Sequence, residues 1–486
     1  MRLKRFVWLS IVFTLLLGAA AFRVTVSTTS GSIVWSDGLA YFMYARSIAL
    51  DHDTDLTNEY QELSQRFPWD PNGPMTIMSS LWNWAQKDPV TGRISLPWPP
   101  GAGIVMLPFY MAGFGLESLV AHVKNRPVDS YGLIPQLGYC FGSLVYGLIG
   151  FWATFVCCRY VASEKVALLS AALVVLAGPL VFYIFFNPSM SHAAAFCFTA
   201  LLVMLWLRCW NEGVTLRTSW LLGITLGLLM LIRYQNALFG ILLVALYARE
   251  LWRAPSKNLV CTTVAILGCV LPLSVTLLHS HFFGISASRP PFLQNGVIAI
   301  GQFRIGLSSP FFTQVLTSCK QGAFYWSPAL AICFVGLLWA AVKTSSGRIM
   351  LLIFLANVYL IGGVTTEIAA TPLITTATTS ERSSTIKQAT LLVTSDWNQQ
   401  WNGGKMFGMR YLAECGTFLA VGLAMLVTSL GSTISAQVWW GFTGIFSVLN
   451  ALLILAYGLG TVSKSSCVTH EQMATGIMRA IARLFQ

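Results

Sequence analysis

Carboxylates are scarce in this chain. Among 486 residues only 18 are aspartate or glutamate, and charged residues of both signs make up 10% against 55% hydrophobic. That balance excludes a soluble globular protein. Apolar runs of about 18 to 25 residues recur along most of the length, and each can cross a bilayer as a helix. No CxxC pair is present, which removes the usual redox and zinc readings, and most of the 11 cysteines lie within or at the ends of apolar runs. There a thiol is a small hydrophobe. The net charge of +12 comes from 30 basic residues scattered at the ends of apolar segments, not gathered into a stripe. No nucleic-acid partner is expected, and the basic residues read as topology signals. No internal repeat relates two halves, which counts against a repeat-built transporter.

What is present predicts an all-α integral membrane protein of about eleven spans, near 7–27, 133–158, 166–186, 192–210, 219–233, 234–252, 259–282, 328–343, 349–366, 411–430 and 438–461. The pair 219–233 and 234–252 is short enough for broken helices. The opening MRLKRFVWLSIVFTLLLGAAAF has the build of a signal peptide, but so many later spans favour a retained first helix with its basic end in the cytoplasm. Leu96–Val123 sets the topology. Counted as a span, it turns the basic loops Arg159–Lys165, Arg208–Arg217, Arg249–Lys257 and Lys343–Arg348 outward, against the positive-inside rule. Its prolines at 97, 99, 100 and 108 also make a poor regular span. It is expected to lie along the outer surface or dip in. A membrane domain over 1–461 then has 28–132 as its first extracytoplasmic loop, followed by a basic amphipathic tail, 462–486.

Ten of the 18 acidic residues lie between Asp37 and Asp129, all in that first loop. Five of them, Asp37, Asp51, Asp53, Asp55 and Glu59, fall in SDGLAYFMYARSIALDHDTDLTNEY. On this topology NPSMSH (Asn187–His192), 284–327 and 367–410 share the same face. A polar pocket beside lipid, with an early aspartate and several arginines, suits transfer from a lipid-phosphate donor. A carboxylate deprotonates the acceptor hydroxyl, and cations stabilise the charge growing on the phosphate.

The Ser36–Tyr60 segment, with its Asp-Gly pair and Asp-x-Asp-Leu-x-Asn-Glu-Tyr ending, resembles the first-loop signature of bacterial GT-C glycosyltransferases. LPWPPGAGIVMLP (Leu96–Pro108), NPSMSH, KQGAFYWSPAL (Lys320–Leu330) and WNGGKMFGMRYL (Trp401–Leu412) continue the resemblance in order along nearly the whole chain. It implies a polytopic enzyme of the bacterial inner (plasma) membrane, similar to protein mannosyltransferases and aminoarabinose transferases. Such an enzyme moves a hexosyl or pentosyl group from a polyprenyl-phosphate-linked sugar donor to a hydroxyl of a cell-envelope glycan, lipid or protein. The rival readings are a lipid-carrier polymerase or ligase and a lipid or solute transporter.

By the same resemblance Asp37 matches the catalytic aspartate. Its local alternative is helix capping. Arg233, flanked by apolar helix in LMLIRYQNALF, is costly unless it meets a partner or lines a cavity, and is a candidate for the lipid phosphate. One of Lys405 and Arg410 is expected to touch the donor phosphate, and for Arg410, which opens the following helix, interfacial anchoring is the alternative. Asp53 and Asp55 belong to a DxDxD alternation that could hold a divalent cation such as Mg2+ or Mn2+, or be a solvated loop. His192 is either a site residue or a satisfied structural group. Arg46 is expected to pair with an acidic loop neighbour.

Overall fold

The computed structural model describes residues 32–66, 86–87, 92–96, 98–283, 292–294, 297–300, 303–306, 311–366, 406–431, 436–464 and 466–484. The expected first span, 7–27, lies outside the described residues.

The apolar runs fold as helices close to where their composition places them: Leu133–Arg159, Glu164–Leu176, His192–Glu212, Leu216–Ile232, Gly240–Arg253, Pro255–Phe283, Pro328–Lys343, Ser345–Gly362, Gly416–Leu430 and Ala436–Gly458. Seven helical stretches among the described residues are long and apolar enough to cross a membrane. The short pair is broken at Arg233, where the backbone is extended before a 3-10 turn, Tyr234–Phe239. Small residues bring helices close: a Cβ on Gly268 would press on the Trp220 carbonyl, so Leu216–Ile232 and Pro255–Phe283 pack nearly backbone to backbone. Strand is a minor addition to the all-α expectation. Phe292–Gln294, Val297–Ile300, Phe303–Gly306 and Val364–Thr366 pair in that order as an antiparallel sheet, and Gln86–Lys87 pairs with Ile94–Ser95.

Gly101–Val123 forms one regular helix despite Pro108, and it lies antiparallel along Leu133–Arg159. A Cβ on Gly113 would meet Gly138, Gly142 faces Met106 and Phe109, and the Tyr146 hydroxyl donates to the Val105 carbonyl at 2.7 Å. Carried on, that register sets Gly101 level with about residue 150, roughly 13 Å short of the far end at Arg159. Its first residue packs instead against Leu231 and Ile232, beside the break at Arg233.

The tail is helical over His470–Leu484. A disulfide joins Cys319 to Cys467, with Cα atoms 4.9 Å apart. Tyr325 donates to the Val468 carbonyl at 3.0 Å and its ring stacks on His470 at 4.2 Å. The tail helix therefore folds back on Ala436–Gly458 and on the KQGAFYW segment. The other nine cysteines are free thiols, eight of them buried.

Candidate active site

The helix Asp37–Arg46 opens after Ser36, whose φ of 60° is a costly backbone conformation for an L-residue. No side chain caps this helix. The Asp37 carboxylate is engaged elsewhere: its Oδ2 lies 3.0 Å from Nη1 of Arg410. The two side chains are 16% and 9% exposed, so the pair is largely shielded from solvent. Gly38 permits the approach of NPSMSH, because a Cβ there would collide with the Ser189 side chain. Ser189 in turn donates to Asn187 Oδ1 at 2.9 Å.

Arg410 begins a 3-10 turn, Arg410–Cys415, which also carries Tyr411 and Glu414. The Tyr411 ring serves both site arginines, with its centroid 4.9 Å from the Arg410 guanidinium and 5.3 Å from that of Arg233. Arg410 Nη2 also donates to the Tyr411 hydroxyl at 3.2 Å. Glu414 is buried at 1% exposure. Its Oε1 lies 3.3 Å from His192 Nδ1 and 3.4 Å from Arg233 Nε. Arg233 Nη1 lies 3.4 Å from Ser191 Oγ and 3.2 Å from His192 Nε2, and Nη2 donates to Gln235 at 3.3 Å. A protonated Nδ1 on His192 gives Glu414 its donor and leaves Nε2 to accept from Arg233. Ser191 donates to the Tyr41 hydroxyl at 3.4 Å. Burial pushes the Tyr41 hydroxyl up to about 12, so it keeps its proton at neutral pH.

Asp37, His192, Arg233 and Arg410 thus converge from four distant segments. Lys405 lies outside the described residues. Asp53 and Asp55 do not join them, since they follow the opposite end of a ten-residue helix, about 15 Å from Asp37. Asp53 Oδ1 accepts from Ser47 Oγ at 2.8 Å and from the Asp55 amide at 3.1 Å. Asp55 Oδ1 accepts from the Thr57 amide at 3.1 Å and hydroxyl at 2.6 Å, while Arg93 Nε lies 3.2 Å from Oδ2. Their alternation makes turns and an ion pair rather than a cation cradle. Among the described residues no three His, Cys, Asp or Glu side chains gather as metal ligands. Arg46 pairs with Asp51 and, at 2.9 Å, with Glu59.

Glu414 and Tyr411 join the candidate site without having been singled out in sequence, Tyr411 from inside the WNGGKMFGMRYL motif and Glu414 just beyond it. Glu414 carried a usable signal, being a carboxylate in an otherwise apolar run.

No family model matches the chain, and no curated protein sequence matches it. Among solved structures it is similar to ArnT from Cupriavidus metallidurans, with a TM-score of 0.47 to the apo state and 0.46 to the form bound to undecaprenyl phosphate. Both comparisons have 12% identity and cover 99% of this chain and 74% of that one. It is also similar to the archaeal oligosaccharyltransferase AglB from Archaeoglobus fulgidus, in complex with an inhibitory peptide and a dolichol-phosphate. There the TM-score is 0.40, with 12% identity over 97% of this chain and 56% of that one.

Proposed function

We propose that this chain is a membrane glycosyltransferase of the GT-C type, moving a sugar from a polyprenyl-phosphate donor to a hydroxyl of an envelope glycan, lipid or protein on the extracytoplasmic face. The observation that carries the reading is the shielded cluster of Asp37 with Arg410 and Glu414 with Arg233, two carboxylates and two guanidiniums around the Tyr411 ring in a chain otherwise built to sit in lipid. Asp37 takes the proton of the acceptor hydroxyl as that oxygen attacks the anomeric carbon. The bond from that carbon to the phosphate oxygen breaks, its electron pair leaves with the polyprenyl phosphate, and the configuration inverts. Arg410 and Arg233 stabilise the charge that develops on the leaving phosphate.

Purified protein in proteoliposomes, given radiolabelled polyprenyl-phosphate sugars and envelope extract, tests this. Label transferred covalently to an acceptor is the expected result. Movement of the lipid without a covalent product makes the chain a transporter, and a requirement for a lipid-diphosphate oligosaccharide makes it a polymerase or ligase.

A further inference from the structure

We propose that Glu414 is the positioning residue for Arg233, holding the guanidinium by its Nε edge so that the terminal nitrogens face the donor phosphate. The proposal rests on the transferase reading above. Arg233 Nε lies 3.4 Å from Glu414 Oε1, an ion pair without hydrogen-bond alignment, whereas among the described residues Nη1 and Nη2 hydrogen-bond only to the neutral partners Ser191, His192 and Gln235. A phosphate outcompetes such neutral partners, because hydrogen bonds between ionised groups are the stronger ones. The Nε edge is held by charge and the Nη edge is left exchangeable.

Glu414 is suited to the task by its own restraints. It is 1% exposed, and the same oxygen that faces Arg233 also faces His192 Nδ1 at 3.3 Å. Among the described residues its second oxygen has no hydrogen-bond partner. It also shares one 3-10 turn with Arg410, the cation that reaches Asp37. The turn therefore fixes where the two guanidiniums stand relative to one another, with the Tyr411 ring near both.

Charge neutralisation alone predicts the opposite of positioning, and this makes the test decisive. The probe is undecaprenyl phosphate in detergent micelles, with undecaprenol as the control lacking phosphate. If Glu414 merely offsets positive charge, Glu414→Gln tightens binding of the phosphate lipid. Positioning predicts that it weakens that binding about tenfold and leaves undecaprenol unchanged, with Glu414→Asp restoring part. Arg233→Ala loses a similar factor, and adding Glu414→Gln to it loses nothing more, because Glu414 acts through Arg233. If Glu414→Gln alone fails to fold, the double variant, free of a buried unpaired charge at this pair, carries the test. Binding equal to Arg233→Ala supports the role, and a further tenfold loss overturns it. Tighter or unchanged phosphate binding by a folded Glu414→Gln also overturns it. Equal binding of both lipids by the unsubstituted protein instead rejects the phosphate site itself.

Discussion

Arg410 Nη1 lies 3.0 Å from Asp37 Oδ2, tying the first turn of the first-loop helix to a cation 373 residues further along the chain. A carboxylate oxygen held in this way is occupied by the guanidinium and is not free to take a proton. On the proposed reading a donor phosphate competes for the same guanidinium, and donor binding is expected to release the base before the proton moves. Asp37→Asn keeps the side-chain size and removes both the negative charge and the proton acceptor. Turnover should fall about a hundredfold to ten-thousandfold, the usual weight of general-base catalysis. Affinity for undecaprenyl phosphate should hold or rise, because Arg410 no longer has a competing carboxylate. Near-normal turnover in this variant would leave Asp37 as no more than an anchor for Arg410.

Arg233→Ala removes one charge-assisted contact to the donor, on the order of 1.5 to 3 kcal/mol. The expected result is a tenfold to hundredfold rise in the donor concentration needed for half-maximal rate, with acceptor dependence unchanged. Arg233→Lys should recover part, since an ammonium supplies charge without the fork that Glu414 and the phosphate grip from opposite edges. Equal effects on donor and acceptor would return Arg233 to a structural ion pair with Glu414.

The helices were legible because lipid imposes a length and a composition on each span, and neither depends on which neighbour a helix meets. Arg233 was legible for a related reason: a charge inside an apolar run must be partnered. Glu414 obeys the same rule, but it follows Arg410 by four residues and reads as part of an interfacial anchor. The Asp53–Asp55 alternation is ambiguous in sequence because turns that close on their own carboxylates need the same spacing as a ligand set. The Cys319–Cys467 bond depends on a contact between segments 148 residues apart, which no local pattern encodes.

Glu59 gives the first loop a pH dependence. Burial raises its carboxyl to about 8, although Arg46 stands 2.9 Å away. A folded-state pKa above the unfolded value means that the folded chain holds the extra proton. The stability from this group is full below the ordinary glutamate range and is lost as pH climbs through about 8. Melting temperature measured across that window should fall with rising pH, and Glu59→Gln should flatten the slope. An identical slope in the variant would assign the dependence to another group.

The disulfide makes a prediction about compartment. Such bonds persist in oxidising surroundings, so Cys319 and Cys467 should be joined in protein from wild-type cells and reduced in a strain lacking its envelope thiol oxidase. By loop-closure entropy a loop of this size is worth about 5 kcal/mol, so Cys467→Ser should lower the melting temperature and loosen the tail helix. Protease cleavage between residues 459 and 470 reads out the loosening. Fully reduced cysteines in wild-type cells would place this face in the cytoplasm.

The last prediction concerns how Gly101–Val123 sits in the membrane. By length and composition this helix qualifies as a span. Its register against Leu133–Arg159 argues otherwise, because its first residue stops level with about residue 150 and abuts Leu231 and Ile232. Because the helix starts beside the candidate site, it is expected to enter the membrane from that side rather than to cross from the far one. On that expectation the chain on both sides of the helix lies on one face, and the basic loops after residues 159 and 208 are cytoplasmic, in keeping with the contact between Asp37 and Arg410. A periplasm-active reporter fused after Asn125 should be active, and the same reporter fused after Glu212 should be silent. The reverse pattern would make Gly101–Val123 a full crossing. It would also turn the segment that ends at Arg410 to the cytoplasmic side, where the acceptors proposed for Asp37 are not found.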